Sequence, residues 1–115
     1  MIDSYSFGEI VINGKKYTQD IILCGDTVYP DWWRKSGHAL NLDDLAIVLD
    51  FSPSLLIIGT GNMGVMKVPA SCQTALRERG IDVTVEKTSR ACTIYNRLLK
   101  ENQEKKFSAA LHLTC

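Results

Sequence analysis

The sequence predicts a three-layer α/β domain with mainly parallel central strands and a β-hairpin near its start. Three observations carry this. An Asn-Gly pair, Asn13-Gly14, sits between two apolar runs near the start. The four-residue run Leu55-Leu56-Ile57-Ile58 is apolar with no alternation. Strand-like and helix-like segments then alternate to the end of the chain, which implies mainly parallel central strands covered by helices.

The elements follow in order. Residues 10–12 and 17–23 read as the arms of a hairpin, because an Asn-Gly turn needs positive φ at both central positions and these residues tolerate it. Residues 24–40 read as irregular, interrupted by Gly25, Pro30 and Gly37. Asn41 is placed to cap a helix over 42–50. Asp43 and Asp44 lie in its first turn, where the dipole favours carboxylates, and Leu45, Val48 and Leu49 form its apolar stripe. Ser52-Pro53-Ser54 stops it. The run 55–58 reads as a strand buried on both faces. Pro69 opens a helix over 69–79 that Gly80 ends. Residues 81–85 alternate as a strand. Thr88 or Ser89 caps a helix to about residue 101, with Ala91, Cys92, Tyr95, Leu98 and Leu99 inward. A charged connection over 100–106 leads to a closing strand over 107–113.

With 115 residues, the chain is one domain, 1–115, long enough to bury a core without staples. Lys+Arg and Asp+Glu number 13 each. That balance argues against nucleic acid, whose binders usually carry a basic excess. No apolar run approaches a membrane span, and the first residues show no signal-peptide pattern, so a cytoplasmic protein is expected. The four cysteines contain no C-x-x-C pair. Cys72 and Cys92 fall on apolar helix faces as small core residues. No metal and no cofactor is expected.

The candidate working surface is the loop Gly59-Thr60-Gly61-Asn62-Met63-Gly64. It spells G-x-G-x-x-G after a strand, with Glu86 near the position of a ribose-binding acid. A dinucleotide fingerprint, however, opens its helix directly at the glycines. Here Val65-Met66-Lys67-Val68 intervenes, and Pro69 makes Val68 extended. Two readings stay open. The glycines serve only a strand-to-helix connection, or Gly59, Thr60, Gly61, Asn62 and Gly64 form a backbone nest for a small anion, with Lys67 as counter-charge.

Trp32 and Trp33 are adjacent. Either both cover the core, or one plugs it while the other lines a cleft or contact surface. Arg34 is a candidate for an anion or an indole face. His38 lies in a polar loop with no activating partner in view. His112 and Cys115 make an H-x-x-C pattern, read as the surface-packed end of the closing strand, because a neighbouring terminal carboxylate disfavours a thiolate. No catalytic motif is recognised.

Taken together, the order and spacing resemble the Mth-type domain family, a group of small proteins of unknown function. The residues that carry the resemblance are Leu56-Ile57-Ile58-Gly59-Thr60-Gly61, the helix-opening Pro69, Gly80-Ile81-Asp82-Val83, Thr88 with Ala91 and Tyr95-Asn96, and Leu111-His112-Leu113-Thr114-Cys115. Upstream, Phe7-Gly8, the hairpin, Trp33-Arg34 and His38 complete it. The resemblance implies a mixed sheet of about five strands, one of them antiparallel, and a glycine loop that is no nucleotide fingerprint. It also implies roles like those of the family's eukaryotic members, which include a complex I assembly factor and an adipogenesis-associated protein. Two functions are therefore expected to compete. One is a non-catalytic protein-binding or assembly module using Trp33 and Arg34. The other is a small-anion protein or enzyme using the glycine loop, with Lys67, Arg34 and His38 nearby.

Overall fold

Leu55-Leu56-Ile57-Ile58 lacks polar alternation because it lies inside a sheet covered on both faces. The computed structural model describes every residue except Gln103. Its strands are β1 Ile2–Ser6, β2 Glu9–Ile12, β3 Lys15–Tyr17, β4 Ile21–Cys24, β5 Thr27–Tyr29, β6 Leu55–Thr60, β7 Asp82–Glu86 and β8 Phe107–His112. The helices are α1 Ala46–Phe51, α2 Ala70–Glu78 and α3 Thr88–Glu101. Strands β1-β2-β3 form an antiparallel sheet, and β5-β4-β8-β6-β7 form the central one. Strands β6, β7 and β8 run parallel, while β4 is antiparallel to both β8 and β5. Only β4 therefore runs against the other four.

Side chains that alternate along each central strand feed two cores. Ile21, Leu23, Ile57, Ala109 and Leu111 pack with Tyr95 of α3 and with Ile2, Ile10 and Ile12 of the three-stranded sheet. Ile22, Leu56, Ile58 and Ala110 pack on the other face with Val48 of α1 and Cys72 and Leu76 of α2. These are the three expected layers. Asn96 ties α3 to the N-terminal sheet: its Oδ1 accepts the Ile2 N–H at 2.9 Å and its Nδ2 donates to the Ile2 carbonyl at 2.7 Å.

Several boundaries differ from the sequence expectation. The Asn13-Gly14 turn has φ of 49° and 80°, as predicted. Its second arm stops at Tyr17, however, and Ile21–Cys24 joins the other sheet, where all four residues are buried. The break falls at Thr18-Gln19-Asp20, whose aspartate is engaged by distant groups described below. Strand β1 was not anticipated, and β5 lies within the stretch read as irregular. Three residues ending at Tyr29, just before Pro30, are too few to show a period. The helix expected over 42–50 opens as a 3-10 turn, Leu42–Leu45, in which Asp44 accepts the Asn41 N–H at 2.9 Å. It closes at Ser52, whose φ of 54° is left-handed and whose N–H donates to the Val48 carbonyl.

Candidate functional site

The glycine loop lies at the carboxyl end of β6, where open α/β sheets bind ligands. The amides of Asn62, Met63 and, just beyond the loop, Val65 are already engaged within the chain. The Asn62 N–H donates to the Thr114 carbonyl at 2.6 Å. The N–H groups of Met63 and Val65 both donate to the main-chain oxygen of Cys115, at 3.3 and 3.0 Å. The segment 113–115 is held from its other side by the Gly8 N–H, which donates to the Leu113 carbonyl at 2.8 Å. The loop is thus a nest, and the oxygens in it belong to residues 114 and 115.

Thr88, the first residue of α3, locks this arrangement. Its buried hydroxyl donates to the His112 carbonyl at 2.6 Å and accepts the Gly61 N–H at 2.9 Å. Thr88→Val keeps the side-chain shape but leaves both main-chain groups without a partner. A loss of about 2 kcal/mol is expected in urea unfolding. Thr60 turns its hydroxyl to the Glu86 carbonyl at 3.2 Å, and Gly59 faces Thr88 and Leu111. Gly64, at φ 74°, lies against the Lys87 side chain.

The segment 34–40 does reach this end of the sheet. The Lys67 N–H donates to the His38 carbonyl at 2.7 Å, and the Leu40 N–H donates to the Lys67 carbonyl at 2.9 Å. His38 and Lys67 therefore meet through their main chains.

Arg34 meets two residues that sequence reasoning did not place with it. Its Nη1 donates to Asp20 Oδ2 at 2.7 Å, and His112 Nδ1 lies 2.8 Å from the same oxygen. The Leu113 N–H donates to Asp20 Oδ1 at 2.7 Å. An ionised carboxylate can only accept, so Nδ1 carries a hydrogen and donates it. The 3.0 Å approach of Arg34 Nη2 to Nδ1 is then a crowded contact, and Nη2 donates instead to the Gly37 carbonyl at 3.2 Å. The three side chains are 15%, 6% and 9% exposed for Asp20, Arg34 and His112, so the charges are almost wholly within the protein. Burial pushes the Asp20 carboxyl up, but the hydrogen bonds from His112, Leu113 and Arg34 outweigh it and hold the group below its usual range. The guanidinium also stacks 4.7 Å from the Trp32 ring. His112 is thus buried, not the surface-packed strand end that the sequence suggested, and only Cys115 of that pattern is exposed.

The adjacent tryptophans part ways. Trp32 packs against the core beside α1 and α2, and its indole N–H donates to the Asp44 carbonyl at 2.8 Å. Trp33 is 74% exposed. It borders a groove of about 280 Å³ between the end of β5 and the start of α1. The loop that carries it is fixed on both sides. Before it, the Trp32 N–H donates to the Asp20 carbonyl at 2.8 Å; after it, Arg34 is pinned to Asp20 and the Lys35 N–H donates to Asp44 Oδ1 at 3.2 Å.

Residues 2–112 match a family described as protein of unknown function (DUF498/DUF598). The chain belongs to this family. Among relatives of the DUF498/DUF598 domain, NADH dehydrogenase [ubiquinone] 1 alpha subcomplex assembly factor 3 of Xenopus tropicalis is 28% identical over 104 residues, which cover 89% of this chain and 56% of that protein. The domain thus spans about half the length of the curated relatives it matches. A conserved hypothetical protein, PH1505 of Pyrococcus horikoshii OT3, shares the fold with a TM-score of 0.80 at 24% identity, covering 100% of this chain and 99% of that one. A Bordetella pertussis protein described as a Mth938-like domain aligns with a TM-score of 0.69 at 16% identity, over 98% of this chain and 85% of that one. The resemblance to Mth-type domains therefore holds in sequence and in fold.

Among the described residues, no three His, Cys, Asp or Glu side chains gather as a metal site would need, and no helix is long and apolar enough to cross a membrane. Cys24, Cys72 and Cys92 are buried. Burial raises each of these thiols, that of Cys92 to about 12, so none offers a thiolate at neutral pH.

Proposed function

We propose that this DUF498/DUF598 domain is a non-catalytic protein-binding or assembly module whose contact face is built around Trp33. The exposure of Trp33 on a pinned loop carries the reading. A large aromatic left in water on an anchored stretch of backbone suits a partner's pocket, since the backbone need not be ordered on binding. Support comes also from the assembly-factor relatives. The competing reading, a small anion in the glycine loop, would require displacing the oxygens of Thr114 and Cys115 from the amides of Asn62, Met63 and Val65.

Trp33→Ala tests the proposal. It is expected to leave the urea midpoint within about 0.5 kcal/mol of the parent, as for other exposed positions. In affinity purification from the native cell it should strip the co-purifying protein. Retention of every partner by the folded variant would sink the proposal.

A further inference from the structure

We infer that the Trp33 groove receives one amphipathic helix bearing lysines or arginines beside its apolar stripe. This rests on the protein-binding reading above and gives its partner a chemistry.

The groove has an apolar floor and an acidic margin. Tyr29, Trp33 and Ile47 are exposed large side chains along it, at 38%, 74% and 38%. Asp31, Asp43 and Asp44 border it against one cation, Lys35, whose Nζ is already 3.0 Å from Asp43. The Asp44 carboxylate is held by the N–H groups of Asn41 and Lys35, so it is a fixed charge. An apolar surface edged by unbalanced carboxylates favours an apolar partner edged by cations, and the same charges reject an acidic one.

The form of the partner follows from the sheet edge beside the groove. Strand β5 is the outer strand of the central sheet and contributes three residues, Thr27–Tyr29. In an antiparallel ladder only alternate residues turn main-chain groups to the open side. The next residue, Pro30, has no N–H to donate. A partner strand would therefore find almost no ladder here. A helix needs none, because its backbone is satisfied internally and it binds through side chains spaced three and four apart.

The test uses the whole chain and two synthetic peptides about 18 residues long, enough to hold a helix. One carries leucines on a helical stripe flanked by lysines. The other has glutamates in place of the lysines. The two indole N–H signals in an NMR titration report separately on Trp33 and Trp32. The lysine peptide is expected to move the Trp33 signal more than that of Trp32, whose N–H stays bonded to the Asp44 carbonyl at the groove margin, and the glutamate peptide to move neither. The double variant Asp31→Asn/Asp43→Asn should weaken the lysine peptide about fivefold, and raising salt to about 0.5 M should do likewise. Asparagine tolerates the left-handed φ of 57° at position 31, so that variant should keep its fold.

Equal binding of both peptides, or an unchanged affinity in the double variant, overturns the inference. So does a Trp33 signal that moves only with protein concentration, which would make a second copy the occupant. If neither peptide moves Trp33 while Trp33→Ala still strips a partner in the cell, the partner chemistry is wrong and the protein-binding reading stands.

Discussion

Asp20→Ala is expected to cost about 3–5 kcal/mol, because it leaves the Arg34 guanidinium buried without its counter-charge. The Arg34 side chain is 6% exposed, its Nε already lacks a hydrogen-bond partner, and Asp20 is its ion-pair partner. The substitution also orphans the Leu113 N–H at the end of β8. A loss of that size is a large share of the ~5–15 kcal/mol that holds a domain folded, and it should lower the melting temperature by roughly 15 °C. Arg34→Met should cost less, since Asp20 keeps His112 and the Leu113 N–H as donors. The double variant should fall well short of the sum of the two, because the second change removes the charge that the first strands. Additive losses would show that the three groups do not act as one unit. The same cluster sets a pH dependence. The Asp20 carboxyl lies below its usual range in the folded state. Its contribution is therefore full above about pH 4 and is lost as the pH falls through the depressed folded value. Asp20→Asn should show a shallower fall in stability over that acid window than the parent, measured by urea unfolding at successive pH values.

This cluster shows where sequence reasoning stops. The Asn13-Gly14 turn, the unalternating run in β6 and the Pro69 and Gly80 helix boundaries are local signals, and each appears where the residues put it. Asp20, Arg34 and His112 have no such signal. Arg34 is 14 positions from Asp20 and 78 from His112. They meet only because β4 pairs with β8, which brings the residue before β4 alongside the end of β8. Nothing in a lone aspartate before an apolar strand announces that pairing. Trp32 and Trp33 pose a different limit. As neighbours they have the same composition and hydropathy, and what distinguishes them is tertiary: Trp32 packs on the core, stacks with Arg34 and donates to the Asp44 carbonyl. The glycine loop lies between these cases. Its position at the end of β6 was legible, and its occupants, the oxygens of residues 114 and 115, were not. No pattern in the loop specifies which distant backbone will approach it.

Gly61 is the position where that approach becomes measurable. Its φ of 107° lies in a region that side chains rarely adopt. A Cβ added there would collide with the Cys115 main chain and sit 2.9 Å from His112 Cδ2. The first neighbour is main chain, so relief requires the tail to leave the nest. Gly61→Ala is therefore expected to cost about 3 kcal/mol in urea unfolding, from strain and overpacking together. Gly59→Ala is the comparison. Its Cβ would meet Thr88 Oγ1 at 2.8 Å and Leu111 Cδ2 at 2.9 Å without a left-handed φ, so its cost should be smaller. A second measurement separates the two contributions at Gly61. Removing Thr114 and Cys115 abolishes the main-chain approach but neither the His112 contact nor the backbone strain, so Gly61→Ala should cost at least about 1 kcal/mol less in that shortened chain than with both residues present. The same cost in both would mean that the tail does not constrain the loop. A smaller cost in the shortened chain would show that the glycine is needed because residues 114 and 115 occupy the nest, the place where the alternative reading would seat an anion.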